Sequence, residues 1–143
     1  MNFKVLINGE LFESNEKMEI INPSTLKVAG TVPLISSQNF IDEVVSNAKL
    51  AYHSWKKMPF ETRAAYLVKF RDLLLKNKQN LADLLVLEIA KNKKESLAEI
   101  ERSAEYITQT LSIYKELNDN PLIIDKSVHG IKDKVGKFVR EPL

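Results

Sequence analysis

Apolar and polar positions along this chain fall into two regimes. In the first third the apolar residues come in short runs broken by turn formers. "FKVLINGELFES" sets Asn8-Gly9 between two such runs, and that pair tolerates the positive φ of a tight type I′ turn, so a hairpin is predicted there. "MEIINP" and "VAGTVPL" follow, divided by the Pro23-Ser24-Thr25 turn, and residues 3–34 together predict a small antiparallel sheet. From residue 37 the spacing changes. Phe40, Val44, Ala48, Ala51, Tyr52 and Trp55 recur at three and four, which predicts a helix over 37–58, capped by Ser36 or Ser37 and stopped at Pro59.

Two more helices are predicted over about 60–77 and 79–90, with a break or a kink between Asn77 and Asn80. A fourth, over about 94–117, has the most regular pattern: Leu97, Ile100, Ala104, Ile107, Leu111 and Tyr114 step alternately by three and four. That is heptad spacing, but it lasts too few repeats for a free-standing coiled coil, and a helix packed on its neighbours in one core is expected. Beyond Asn118-Asp119-Asn120-Pro121 the residues return to strand type in "PLIID" and "KVGKFVREPL".

Composition narrows the classes. With 143 residues, 44% hydrophobic and 28% charged, the chain has the make-up of one ordinary globular domain rather than a disordered one. The net charge of +2 is mild, and lysines alternate with Glu and Asp, so no nucleic-acid partner is expected. The densest basic run, Lys91-Asn92-Lys93-Lys94, reads as a solvated helix end before it reads as a phosphate site. No apolar stretch approaches bilayer length and the N-terminus lacks a basic region followed by an apolar run. The expectation is therefore a cytoplasmic protein with no membrane contact.

Chemistry-bearing motifs are few. The chain has no cysteine, so it holds neither a disulfide, nor a thiolate metal site, nor a cysteine nucleophile. His53 and His129 are far apart and match no zinc spacing; no metal ligand is expected. The four glycines, Gly9, Gly30, Gly130 and Gly136, are scattered and form no phosphate-cradling loop, so no cofactor is expected to bind this segment by itself. The carboxylates of "ESLAEIERSAEY" fall on the polar face of the fourth helix. Arg102 lies off that helix's apolar stripe, three residues from both Glu99 and Glu105, and its plain reading is a surface ion pair.

The order of several fragments adds a resemblance. "INGEL", "INPST", "GTVP", "AYHSWKKMPFETRAAYL", "LEIAKNKKESLAEIERSAEY" and "VREPL" follow one another in the order and spacing of the NAD(P)-dependent aldehyde dehydrogenase superfamily. Thr62-Arg63-Ala64-Ala65-Tyr66-Leu67, Ala90 in place of the usual Gly, and "EIERSAEYI" resemble most the non-phosphorylating, NADP-preferring glyceraldehyde-3-phosphate dehydrogenases. Leu11, Thr62, Asn92 and Lys93 depart from the family pattern.

The resemblance implies an α/β aldehyde dehydrogenase-like fold. It implies N-terminal strands over 1–36, a four-helix middle over 37–118 that packs on a cofactor domain, and the start of the oligomerisation strands over 119–143. It further implies that the cofactor and catalytic domains lie beyond Leu143, along with the catalytic cysteine. On that reading the segment alone is inactive, and the full-length protein uses NADP or NAD on a small-molecule aldehyde and forms a homo-oligomer, tetramer or dimer. No catalytic residue is expected in this segment, and Arg102 falls where the glyceraldehyde-3-phosphate branch has an arginine that reaches the substrate phosphate, a role suited to the planar donor fork of a guanidinium. The alternatives are another aldehyde substrate, such as succinate semialdehyde or betaine aldehyde, or a non-enzymatic helical interaction module. The helix faces around Leu74, Leu85 and Ile100 are expected to be bare in the segment and to drive self-association.

Overall fold

A computed structural model describes residues 1–119 and the backbone of 123–124 and 136–137. Four short strands come first: β1 (Val5–Ile7), β2 (Glu10–Phe12), β3 (Lys17–Ile21) and β4 (Val28–Pro33). Four helices follow, α1 (Gln38–Trp55), α2 (Phe60–Lys76), α3 (Lys78–Ile89) and α4 (Lys93–Asp119). A last pair, β5 (Ile123–Ile124) and β6 (Gly136–Lys137), is antiparallel and falls within the two segments expected to be strands. His129, Gly130 and "VREPL" lie outside the described residues.

The N-terminal strands do not form one sheet, as expected, but two separate antiparallel ladders. β1 and β2 close through Asn8 and Gly9, both at positive φ (53° and 85°), which is the turn their residue types favour. Lys4 and Glu13 extend this hairpin as an ion pair, and the ammonium holds the exposed Glu13 carboxyl below its ordinary pKa. β3 and β4 pair with a bulge: Ile20 faces Gly30 and Ile21 faces Val28, leaving Ala29 as the extra residue. The free side of β4 is taken by the first three residues. Phe3 N donates to Thr31 O (2.8 Å) and Thr31 N to Met1 O (2.9 Å), a parallel bridge centred on Asn2. β2 and β3 are not paired, so β1–β2 and β3–β4 stay separate ladders.

Helix boundaries follow identifiable caps. Ser37 Oγ accepts from Phe40 N (3.3 Å) and starts α1, while the neighbouring Ser36 hydroxyl goes to Glu16. α1 ends at Trp55, three residues short of the expected Met58, because Lys56–Met58 turn back onto Tyr52, Ser54 and Trp55 carbonyls; Pro59 then precedes α2. The break between α2 and α3 is a single residue. Asn77 leaves the helical region (φ −101°, ψ 11°), and its amide Nδ2 takes the Leu73 carbonyl (2.8 Å).

The core lies where α3 and α2 meet α4. Ala82, Ser96, Ile100 and Ala104 are buried, and Ala82 and Ser96 are wholly so. Small side chains there let α3 and α4 approach closely. The Leu97, Ile107, Leu111 and Tyr114 positions of the stripe are half-buried on the same face, so α4 is a packed helix of one core. Ile100 is only 6% exposed, which corrects the expectation that its face is bare. It sits one turn from both Ser96 and Ala104, so the neighbouring helices reach over it. Leu74 and Leu85 are half-buried. Exposed apolar side chains on the helices include Tyr66, Leu67, Phe70 and Leu73 on α2, and Tyr106 and Ile113 on α4. α1 contributes no buried residue and is held at its ends, by Phe12 stacked on Phe40 (5.1 Å) and Trp55 against Tyr66 (5.8 Å).

α3 stops at Ala90, whose left-handed backbone (φ 54°, ψ 29°) ends the helix in a position that favours glycine. An alanine Cβ is strained there. Ala90→Gly is therefore expected to stabilise the fold by about 0.5–1 kcal/mol after the greater freedom of glycine in the unfolded chain is subtracted. A denaturant midpoint that stays put or falls would contradict this.

Candidate functional site

The start of α4 organises the charged residues. Asn92 caps it, its Oδ1 accepting from Lys94 N (2.8 Å), which extends the helix one residue earlier than expected. The buried Ser96 hydroxyl donates back to Asn92 O (2.9 Å). The basic run beside this cap is not a free cation patch. Lys91 pairs with Glu99, and Lys93 pairs with Asp83 and donates to Gln79 O, so two of its cations bracket α3 and α4 together. Lys78 likewise joins Glu101 (2.7 Å).

Arg102 lies on the opposite side of α4 from Ile100 and Ala104 and is exposed. The ion pair with Glu99 or Glu105 is not formed, since Glu99 is engaged by Lys91 and Glu105 accepts from Gln109 (2.8 Å). Among the described residues its guanidinium has no ion-pair partner. His53 is exposed beside Tyr52 near the end of α1.

Two other arginines were not singled out by sequence reasoning. Arg71 holds Asp72 through Nε and Nη2 (2.9 and 2.8 Å) and reaches Thr108 Oγ1 on α4 (3.2 Å), so it clamps α2 to α4. Arg63, in the first turns of α2, has a buried Nε with no hydrogen-bond partner. It lines a cleft with Trp55, Phe60, Leu67, Leu111 and Tyr114. The signal for it was present: Arg63 interrupts the apolar face shared by Phe60 and Leu67, an unusual place for a cation.

Asn22, in "INPST", is the other residue whose role emerges only in the fold. It is buried, its Oδ1 accepts from Ser24 N (2.9 Å) and Thr25 N (3.0 Å), and its Nδ2 donates to Leu87 O (2.6 Å) and, more weakly, Val86 O (3.4 Å). One amide thus shapes the β3–β4 turn and satisfies carbonyls of the last turn of α3.

The described residues supply no dinucleotide cradle. Gly9 lies in the β1–β2 hairpin turn and Gly30 within β4, paired with Ile20, and neither opens a helix. The glycines of the described residues thus form no phosphate-cradling loop at a helix start. Among them no group of three His, Cys, Asp or Glu side chains is arranged to hold a metal, and no helix is long and apolar enough to cross a membrane.

The sequence profile of the aldehyde dehydrogenase family matches residues 11–143. NADP-dependent glyceraldehyde-3-phosphate dehydrogenase of Streptococcus equinus is 31% identical over 141 residues, covering 99% of this chain and 29% of that protein. Malonate-semialdehyde dehydrogenase of Bacillus subtilis (strain 168) is 38% identical over 106 residues, 73% of this chain and 22% of the relative. The crystal structure of NADP-dependent glyceraldehyde-3-phosphate dehydrogenase from Bacillus halodurans C-125, complexed with NADP, superposes with a TM-score of 0.80 at 30% identity, over 93% of this chain and 27% of that one. Betaine aldehyde dehydrogenase from Staphylococcus aureus, in complex with NAD+, gives 0.75 at 26% identity, over 96% and 27%. The chain thus spans 22–29% of the length of these two sequence relatives.

Proposed function

This chain belongs to the aldehyde dehydrogenase family, and from that premise we propose that it is the N-terminal segment of an NADP-dependent enzyme that oxidises glyceraldehyde 3-phosphate. What carries the reading is the similarity to NADP-dependent glyceraldehyde-3-phosphate dehydrogenase along 99% of the chain, with the same enzyme among the solved structures of the same fold. The segment's part is recognition and support. Arg102 holds the substrate phosphate, residues 37–118 pack on a cofactor-binding domain, and residues 119–143 begin the strands through which subunits associate. The exposed apolar residues of α2 and α4 are consistent with a surface built to be covered. A thiolate elsewhere in the enzyme would attack the aldehyde and the nicotinamide would accept the hydride.

The unpaired guanidinium of Arg102 supports the phosphate role. Its Glu99 and Glu105 neighbours are both engaged elsewhere, so no internal carboxylate competes with a dianion. In the full-length enzyme Arg102→Ala is expected to raise KM for glyceraldehyde 3-phosphate by about 10–100-fold, the loss of one or two charge-assisted hydrogen bonds, and to leave KM for unphosphorylated glyceraldehyde unchanged. An unchanged KM for the phosphorylated substrate removes the assignment. Aldehyde-dependent NADPH formation by the purified 143-residue chain would refute the supporting role of the segment.

A second reading is favoured by the 38% identity to malonate-semialdehyde dehydrogenase. An exposed arginine suits a substrate carboxylate as well as a phosphate. The same variant separates the two, because a KM increase confined to the semialdehyde selects this reading.

A further inference from the structure

The turn that closes the β1–β2 hairpin has no part in the function proposed above. Asn8 is the only asparagine of the chain that a glycine follows. Both turn residues are exposed and held at positive φ, 53° and 85°. Among the described residues nothing holds the Asn8 amide. The space beside the Gly9 Cα is open, with no atom within 4 Å of where a Cβ would stand. The ladder behind this turn is three residues a side, and none of them is buried. A two-stranded hairpin of that size opens at little cost, which frees its turn from the hairpin geometry.

An Asn-Gly pair sets a nucleophile beside an electrophile. The Gly9 nitrogen closes a five-membered ring when it attacks Asn8 Cγ, and glycine suits this because no side chain crowds its amide. We infer that Asn8 is a site of spontaneous covalent modification, and that its isoaspartyl product unlatches the start of α1. In the first step Gly9 N bonds to Asn8 Cγ and the Cγ–Nδ2 bond breaks. The Gly9 amide proton passes to the departing NH2, which leaves as ammonia. In the second step water adds to one of the two ring carbonyls, and the bond from that carbon to Gly9 N breaks. Cleavage at Cγ gives aspartate. Cleavage at the main-chain carbon gives isoaspartate, in which the chain runs through Cγ.

The two products differ in consequence. Asp-Gly favours the same type I′ turn as Asn-Gly. Isoaspartate instead lengthens the main chain by one carbon inside a two-residue loop, and loop length sets the register of a hairpin. Val5 pairs with Phe12 at the far end of this ladder, and Phe12 stacks on Phe40 (5.1 Å) in the first turn of α1. Because α1 has no buried residue, that stack is a large part of what fixes its start.

Ageing the 143-residue chain at mildly alkaline pH is expected to raise the mass of the peptide holding Asn8 by about 1 Da, the exchange of an amide NH2 for a hydroxyl. The product should accept a methyl group from an isoaspartate-specific methyltransferase. Gly9→Ala crowds the nitrogen, so it is expected to slow the mass gain at least about tenfold although it loosens the turn. Amide exchange at residues 41–44 tells the products apart. It should become several-fold faster in the aged chain and stay unchanged in Asn8→Asp, which brings the charge without the extra backbone atom. A mass gain no faster at Asn8 than at the chain's other asparagines would overturn the site. Exchange at the start of α1 that ageing leaves unmoved, or that Asn8→Asp moves equally, would overturn the unlatching.

Discussion

Asn22→Ala is expected to cost about 2–4 kcal/mol of stability, a large share of what a domain of this size has. The side chain makes three close hydrogen bonds, two to the turn amides of Ser24 and Thr25 and one to the carbonyl of Leu87. Truncation removes all of them and leaves Asn22's buried surroundings unable to recruit water freely. The loss is shared between a turn and a helix end, so the fold should loosen at both. Chemical denaturation measures the total, and amide exchange at Ser24, Thr25 and the last turn of α3 locates it. A shift below about 1 kcal/mol would mean that solvent replaces the amide cheaply and that the tie between β-turn and α3 is incidental.

Asn22→Asp isolates the half facing α3. The carboxylate keeps the acceptor for the turn but points an anion at the Leu87 carbonyl and at the negative end of the α3 dipole. Its folded-state pKa is expected above the unfolded value of about 4. The proton is then held more tightly in the folded state, so stability is greatest at acid pH and falls as pH rises from the unfolded pKa towards the folded one. A flat profile across that window would show that the donor half of Asn22 is not what α3 uses.

Gly30→Ala is the second large effect. A Cβ at position 30 would lie 2.6 Å from the backbone oxygen of Met1 and 2.6 Å from Cε2 of Phe3. One obstacle is backbone, so a rotamer change of Phe3 cannot relieve the clash. The first three residues must move off β4, giving up the Phe3–Thr31 and Thr31–Met1 hydrogen bonds. About 1–3 kcal/mol is expected, together with faster amide exchange at Phe3 and Thr31. Gly9→Ala is a useful contrast. No atom lies within 4 Å of its would-be Cβ, and only the positive φ of 85° opposes it, so its cost should be about 1 kcal/mol and confined to the β1–β2 turn. Equal losses at both glycines, or protection at Thr31 that persists in Gly30→Ala, would argue against the close approach.

Much of the fold was legible because the deciding physics is local. Asn8-Gly9 selects its turn through φ alone, Ser37 caps α1 through one oxygen, and the alternating three-four step of α4 marks its packed face without reference to any partner. The order of "INGEL", "INPST" and "GTVP" pointed to the family that the profile match then established. Arg102 was noticed for the same reason, as a cation off an apolar stripe.

What pattern could not supply was which residues meet across the chain. Residues 1–3 take one edge of β4, a pairing 28–30 positions apart that no periodicity announces. Ile100 is covered rather than bare because Ala82, Ser96 and Ala104 are small enough for α3 and α2 to close over it. The Lys91 and Lys93 ammonium groups pair with Glu99 and Asp83 across the α3–α4 turn, and with Glu99 on Lys91 and Glu105 accepting from Gln109, Arg102 forms no ion pair with either glutamate. Sequence by itself determined the elements, their caps and the family, since each depends on a residue's own backbone preference or near neighbours. Tertiary structure decided the double duty of Asn22, the close approach at Gly30 and the enclosed Nε of Arg63, since each depends on atoms that only the folded chain brings within hydrogen-bond or van der Waals range.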